Sequence, residues 1–295
     1  MDRLETLHDQ LVAADDQAGG TDDVERRAAA LAQEAITLQN SGSASGRVRS
    51  RLYAAAAHFT DSALWAAIDD RRLAAAEGYV NQAIALAALS GDPATVVPVW
   101  GHAGSLYRHL GRPADALAAS EAARSTQVAR SDHLYASLTY ARLAVDQAYT
   151  EGPVTVRRSL DAAQRALSRT DPDPGGRPTW MRFFDRAELE LLSCATLSTL
   201  RCWDQAEAHA HATLAHLKPG MLRNRALAAA YLARAQLHQG DAGHAVATAR
   251  TLDPALVHGR TAHVLGDFTA CLLDTAPASR PAREWTAHRK ETLHA

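Results

Sequence analysis

The sequence predicts an all-α protein, a right-handed α-solenoid of about five helix pairs. Three observations support this prediction: a motif of large and small residues after Trp100, a turn that recurs along the chain, and an Ala-rich composition. Hydrophobic residues make up 47% of the chain and aromatic residues only 5%, so we expect a core of Ala and Leu. Ala favours helix most strongly of all residues. No segment alternates apolar and polar residues as a half-buried strand does.

The motif of large and small residues reads W-x2-A-G-x2-Y-x3-G-x4-A-x3-S-x2-A. Its members are Trp100, Ala103, Gly104, Tyr107, Gly111, Ala116, Ser120 and Ala123. We expect the large residues to fill the space between two antiparallel helices and the small ones to let the helices approach closely. This order is similar to the tetratricopeptide (TPR) signature. One such pair cannot bury its own apolar face, so the motif implies neighbouring pairs.

The turn between paired helices recurs along the chain. It is predicted at Asp70, Gly111, Gly152, Arg201 and Gly240, with spacings of 41, 41, 49 and 39 residues. A small residue follows five positions later at Ala75, Ala116, Ala206 and Ala245, and Arg157 is the exception. The spacings exceed the roughly 34 residues of a standard TPR unit, which predicts extra helical turns or longer loops.

In chain order, these signals predict one repeat domain over residues 1–295. Residues 1–46 hold N-terminal helices and a loop, with a helix over 4–14 and a second that Thr21 starts and that runs to about Gln39. Repeats one to three follow over 47–170, and DPDPGGRP at 171–178 is a candidate hinge. Repeats four and five with a closing helix occupy 179–274, and 275–295 is a polar tail with Trp285 as its one anchor.

Charge and composition argue against several classes of function. The net charge of −2 does not suit broad contact with nucleic acid, which needs a basic face. We find no signal peptide and no apolar run of about 18 residues, so we expect no membrane contact and a cytoplasmic location. The three cysteines are expected to be reduced thiols.

We predict no cofactor, no metal and no catalytic residue. His209, His211 and His216 are separated by two and five positions, so they cannot share one helix face as metal ligands would. The chain has no phosphate-binding loop, nucleophile elbow or dinucleotide fingerprint.

The first helix of each pair is expected to line a concave groove. Its polar and charged positions are Ser105, Arg108, His109, Thr139, Arg142, Asp146, Tyr149, Glu188, Ser198, Arg234 and His238. Arg108, Arg142 and Arg234 come from three different pairs and could converge on one anionic group, such as a carboxylate or phosphate. The alternative is a solvated face with local ion pairs, for example between Arg142 and Asp146.

Four tryptophans are candidates either for stacking on a ligand or for the core. Trp100 and Trp203 occupy repeat packing positions, which favours the core, and Trp65 is the other candidate. Trp180, with Phe183 and Phe184, follows the candidate hinge and is the better candidate for a ligand contact.

Several segments together resemble one family. They are LETLHDQLVAADDQAGG at 4–20, SALWAAIDDRRLAAAEGYVNQAIALAALSGD at 62–92, VWGHAGSLYRHLGRPADAL at 99–117, RPTWMRFFDRAELELL at 177–192 and WDQAEAHAHATL at 203–214. They are similar to the TPR region of actinobacterial helix-turn-helix (XRE-type) transcriptional regulators. No DNA-binding helix-turn-helix is evident before Leu4, so we expect either a fragment or a stand-alone relative, and no specific DNA binding by this chain.

The sequence thus predicts a regulatory module that binds a small molecule or peptide in the groove and is not an enzyme. One alternative is a protein–protein adaptor. The other is an enzyme on a repurposed regulator scaffold, with His109 and His238 among its polar groove residues. A homodimer is left open.

Overall fold

The structure, a computed structural model, describes residues 2–171 and 177–293. These residues form α-helices and two short 3-10 helices, and no strand occurs among them. The helices are α1 (Asp2–Ala18), α2 (Asp22–Ser41), α3 (Gly46–Asp69), α4 (Leu73–Ser90), α5 (Pro93–His109), α6 (Pro113–Ser125), α7 (Gln127–Ser131), α8 (His133–Gln147), α9 (Pro153–Leu167), η1 (Thr179–Phe183), α10 (Arg186–Thr199), α11 (Trp203–His216), α12 (Leu222–His238), α13 (Ala242–Ala249), η2 (Pro254–Leu256), α14 (Gly259–Thr275) and α15 (Arg280–Leu293). The predicted all-α class is therefore confirmed for the described residues.

The chain divides into two compact units, residues 1–185 and 186–295. This boundary follows the candidate hinge at 171–178, of which residues 172–176 lie outside the described part of the chain. In unit 1, the first helices α3, α5 and α8 pack against the second helices α4, α6 and α9 in turn. Unit 2 has the same local order, with α10 on α11 and α12 on α13. Each first helix also contacts the first helix that follows it within its unit.

Four turns between paired helices have the same backbone geometry. The left-handed residues are Arg71 (φ 63°), Gly111 (φ 71°), Arg201 (φ 59°) and Gly240 (φ 90°). At each turn, two backbone N–H groups donate to carbonyls of the last helical turn; Arg112 N, for example, donates to the Tyr107 carbonyl at 2.8 Å. This pairing is the Schellman motif, which satisfies carbonyls at a helix end.

The structure moves one predicted turn by a residue and gives another a different backbone geometry. The first turn centres on Arg71, one residue after the predicted Asp70, and the buried small residue is accordingly Ala76 instead of Ala75. Gly152 lies in the connection between α8 and α9, as predicted, but it has a φ of −80° and caps the start of α9, so this connection has no left-handed residue. At the other three turns the predicted alanines, Ala116, Ala206 and Ala245, are fully buried.

Gly104 lies where α5 approaches other helices closely. A Cβ at this position would lie 3.1 Å from Asp146 Oδ2 and 3.3 Å from the Ala116 carbonyl oxygen. These distances leave little room for a side chain, and they confirm the prediction that Gly104 faces a close contact.

Both ends of the chain are more helical than the sequence predicts. The first helix covers Asp2–Ala18 instead of 4–14, and α15 occupies most of the predicted polar tail. Ala282 and Trp285, three positions apart, give α15 a buried face, and the Trp285 indole donates to Thr269 Oγ1 at 3.0 Å. Trp285 is therefore an anchor, as predicted, but for a helix. No helix in the described residues combines the length and hydrophobicity that a membrane span requires.

Candidate functional site

In unit 1, an ion pair joins two predicted groove residues across neighbouring first helices. Asp146 of α8 is 2% exposed and accepts hydrogen bonds from the Arg108 guanidinium of α5 and from the Ser120 hydroxyl of α6. Arg108 Nη2 also donates to Ser105 Oγ at 3.2 Å. The structure thus brings together Ser105, Arg108 and Asp146, and the positive charge of Arg108 is balanced within the fold.

Arg142, also on α8, lies against the neighbouring first helix α5. Its Nη1 occupies the place that a side chain at position 101 would need, since a Cβ on Gly101 would lie only 1.8 Å from it. On another side, the guanidinium lies 5.8 Å from the ring centroid of Phe183 in η1, a cation–π distance. The missing side chain at Gly101 therefore leaves room for the Arg142 guanidinium against α5, and the Phe183 ring packs on the guanidinium.

A carboxylate–imidazole pair joins α3 to α5 one helix earlier. His102 Nδ1 lies 2.8 Å from Asp61 Oδ1, and the Trp65 ring stacks on the imidazole with centroids 4.8 Å apart. An ionised carboxylate only accepts hydrogen bonds, so Nδ1 of His102 is the donor to Asp61. Asp61 is 5% exposed and thus holds His102 in one tautomer and orientation.

A histidine pair joins α1 to α3. The rings of His8 and His58 lie 5.0 Å apart, and His58 Nε2 lies 3.3 Å from Thr95 Oγ1 of α5. The Thr95 hydroxyl donates its one proton to Asp92 Oδ2 at 2.9 Å, so the hydrogen bond to it must come from His58 Nε2. Burial, together with the charge of His58, lowers the pKa of His8 to about 3. Burial also lowers the pKa of His58, against the opposing charges of Asp61 and Asp92.

These contacts form what we call the polar row of unit 1. It consists of three cross-helix pairs that join α1, α3, α5 and α8 in order, namely His8–His58, Asp61–His102 and Arg108–Asp146. Sequence reasoning named only Arg108 and Asp146 of these residues, and it did not pair them with each other, because its register started from the Trp100 motif. The spacing of His58, Asp61 and Trp65 along one face of α3 was the available signal for the rest.

Two other predicted groove residues of unit 1, Thr139 and Tyr149, lie outside this row. The Thr139 hydroxyl donates to the Tyr135 carbonyl at 2.8 Å, within its own helix, and is 2% exposed. Tyr149 follows the end of α8 and is 51% exposed. His109 is partly buried at the end of α5.

The other predicted residues belong to unit 2. Arg234 of α12 lies 3.6 Å from Asp267 of α14 and over the Tyr231 ring at 4.9 Å. The His238 ring stacks on Trp203 at 3.9 Å, and burial with the charges of Arg234 and Arg201 lowers its pKa. On α10, Glu188 is partly buried and Ser198 is buried. The convergence of Arg234 with Arg108 and Arg142 stays a prediction.

Unit 2 also contains a buried carboxylate that sequence reasoning did not single out. Glu190 of α10 is 2% exposed and pairs with Arg186 and with His209 of α11. Burial alone would raise the pKa of Glu190, but the hydrogen bonds and charges of His209 and Arg186 outweigh it and lower the pKa. The imidazole of His209 is therefore a hydrogen-bond partner of the Glu190 carboxylate. Within the described residues, no group of three or more potential ligands is arranged to hold a metal ion.

The cysteines are free thiols in the structure. Burial raises the pKa of Cys194 to about 12, so this thiol stays protonated at neutral pH and is a poor nucleophile.

No protein-family profile matches the chain, and no curated protein matches it. The class of the protein therefore rests on its fold and on the site itself. In the described residues the protein is all-helical, and helices that are neighbours in the chain pack against each other. In unit 1, the buried polar row lies between the first helices of the pairs.

Proposed function

We propose that the chain is a regulatory ligand-binding module with a TPR-like solenoid fold, which takes a small molecule or a peptide on the first helices of unit 1. Support for the solenoid comes from the four equivalent turns and from the order of the helix contacts. Support for a regulatory role comes from the resemblance of the five quoted segments to the TPR region of XRE-type regulators.

The polar row is the observation that carries the proposal. Packing between first and second helices is largely alanine and leucine, and the same residues could join the first helices to one another. The chain instead places imidazoles, carboxylates and guanidiniums there. Burying such groups costs free energy unless each one is paired, and a chain selected for stability alone gains little from them. A surface that must recognise a polar ligand does need them.

Arg142 is the residue of this surface best suited to a ligand contact. Arg142 lies against Gly101 and the ring of Phe183, and its side chain is only partly buried. Its planar guanidinium can stack on an aromatic group and can bind a carboxylate through two hydrogen bonds. A bound ligand would regulate the module only if it favoured one arrangement of the helix pairs over another.

Native mass spectrometry of the purified full chain tests the proposal, because it reports a co-purified ligand and the assembly state together. We expect a bound species in the wild type and at least a tenfold loss of its affinity in Arg142→Ala. Arg130→Ala is the matched control, since Arg130 is exposed on α7 and belongs to none of the three pairs of the row. Equal occupancy in the two variants would contradict the proposed site.

The Asp61–His102 pair supports a second candidate function, an enzyme on the same scaffold. A buried carboxylate that orients an imidazole leaves Nε2 as a general base, which is a common catalytic arrangement. The test is to incubate the recovered ligand with the wild type and with His102→Gln, and to follow its mass. A change of mass that His102→Gln abolishes would establish turnover, and an unchanged ligand would favour the binding module.

A further inference from the structure

The 3-10 helix η1 touches both ends of the polar row in unit 1. It contacts α1, the first member of the row. It also packs on α8, the last member, where the Trp180 ring meets the Tyr135 ring edge-on at 5.8 Å and Phe183 lies over Arg142. The segment therefore contacts both the first and the last helix of the row.

The side of α8 that η1 covers is turned away from α9, the second helix of its own pair. On α8, the Ser137 hydroxyl donates to the Ala163 carbonyl of α9, so Ser137 faces the second helix. Successive residues of an α-helix are turned by about 100°, which places Tyr135 roughly 200° from Ser137. Arg142 comes seven residues after Tyr135 and shares its face. The aromatic residues of η1 thus lie on the face of α8 that carries Arg142, the residue to which the proposed function assigns the ligand contact.

The fit of η1 to this face is incomplete. Trp180 is only 8% exposed, and its Nε1–H is buried with no hydrogen-bond acceptor. An unsatisfied buried donor costs free energy, because it has lost its hydrogen bond to water and gained none. An occupant that satisfies its own polar atoms would bind the same face more tightly.

We propose that η1 is an internal ligand, which holds the place of an external peptide carrying two aromatic side chains one helical turn apart. The aromatic pair of η1 defines this chemistry. Trp180 and Phe183 are three residues apart, which in a 3-10 helix puts both on one side. The Trp180 ring packs edge-to-face with Tyr135, and the Phe183 ring packs on the guanidinium of Arg142.

This inference rests on the proposed function and adds the class of ligand and a form of control. While η1 occupies the face, only a fraction of the molecules can bind, and the apparent affinity for an external peptide falls by that fraction. Binding of the external peptide expels η1 from α8 and from α1 together. Release of η1 from the two helices would then be the structural change that signals binding of the peptide.

The test uses the segment itself as the probe, a fluorescein-labelled peptide of sequence RPTWMRFF, residues 177–184. Fluorescence anisotropy measures its binding to the full chain. We expect weak binding to the wild type and at least tenfold tighter binding to a chain with Trp180→Ala and Phe183→Ala, which lacks the internal competitor. The control chain, Arg182→Ala, changes an exposed residue of the same segment and should bind like the wild type. A peptide with alanine in place of both aromatic residues should not bind.

Equal affinity of the wild type and a folded double variant would overturn the proposal, because η1 would then be packing and not a competitor. If the double variant loses its helical circular dichroism, Arg142→Ala provides the second measurement. Hydrogen exchange of residues 179–184 should be faster in that variant and the peptide should bind it more weakly; unchanged exchange would also overturn the proposal. A recovered ligand that still depends on Arg142 would leave the proposed function intact even if the peptide fails to bind.

Discussion

Replacing His8 by Gln tests whether the stability of unit 1 depends on pH through the polar row. Burial and the charge of His58 lower the pKa of His8 from 6.5 to about 3. Below pH 6.5 the unfolded chain takes up a proton that the folded chain does not. The contribution of His8 to stability is therefore fully present above pH 6.5 and is lost as the pH falls from 6.5 towards 3.

The size of the effect follows from linkage. One pKa unit corresponds to about 1.4 kcal/mol, so a histidine that stays neutral removes about 2 kcal/mol of unfolding free energy between pH 6.5 and pH 5. Each of the two histidines keeps some exposed surface, and solvent screens part of the penalty, so we expect about 1–2 kcal/mol from His8. The pKa of His58 is also lowered. The loss of unfolding free energy that His58 causes at low pH therefore remains in the His8→Gln variant.

Urea unfolding followed by circular dichroism at pH 7 and pH 5 measures this difference. The fall in unfolding free energy from pH 7 to pH 5 should be smaller in His8→Gln than in the wild type by about 1–2 kcal/mol. His263→Gln is the control, since His263 is exposed on α14, and it should fall as the wild type does. Were His8→Gln to lose as much stability as the wild type, the folded chain would be protonating His8 freely and the reasoning would be refuted.

Three further predictions concern packing, charge and DNA. Gly104→Leu should lower the unfolding free energy by about 1–3 kcal/mol, because its side chain would overlap Asp146 and the Ala116 carbonyl; an unchanged melting temperature would contradict the close contact. Arg108→Ala should cost about 3 kcal/mol in urea unfolding, because it leaves the buried Asp146 without its cation, whereas Arg130→Ala should cost little. The chain alone should not bind DNA specifically, and a gel-shift complex on its own promoter region that survives moderate salt would show otherwise.

Much of the repeat pattern could be read from the sequence. Gly111 and Gly240 identify their turns because glycine adopts a positive φ without a steric penalty. The first turn was misplaced by one residue, because the left-handed position is Arg71 and nothing in the local sequence marks it. Ala75 and Ala76 are both small, so composition could not distinguish the buried one from its neighbour.

The candidate site was predictable only in part. Arg108, Arg142 and Asp146 were found because they lie at regular positions of their helices, but the partner of Arg108 was not, since 38 residues separate it from Asp146. The pair of His102 and Asp61 spans 41 residues and escaped notice for the same reason. Trp180 was singled out by its place after the candidate hinge, although its contact with Tyr135 was not foreseen.

By itself, the sequence determined the helical class, several turns between helices and the small residues at close contacts. These features depend on groups within a few positions of one another: a capping side chain such as Thr21, a glycine that closes a helix, an alanine that favours one. Only the tertiary structure decided which polar groups meet, which histidines stay neutral and what covers Arg142. Those outcomes depend on distances between helices far apart in the chain and on the removal of water from each group, and no local pattern encodes either.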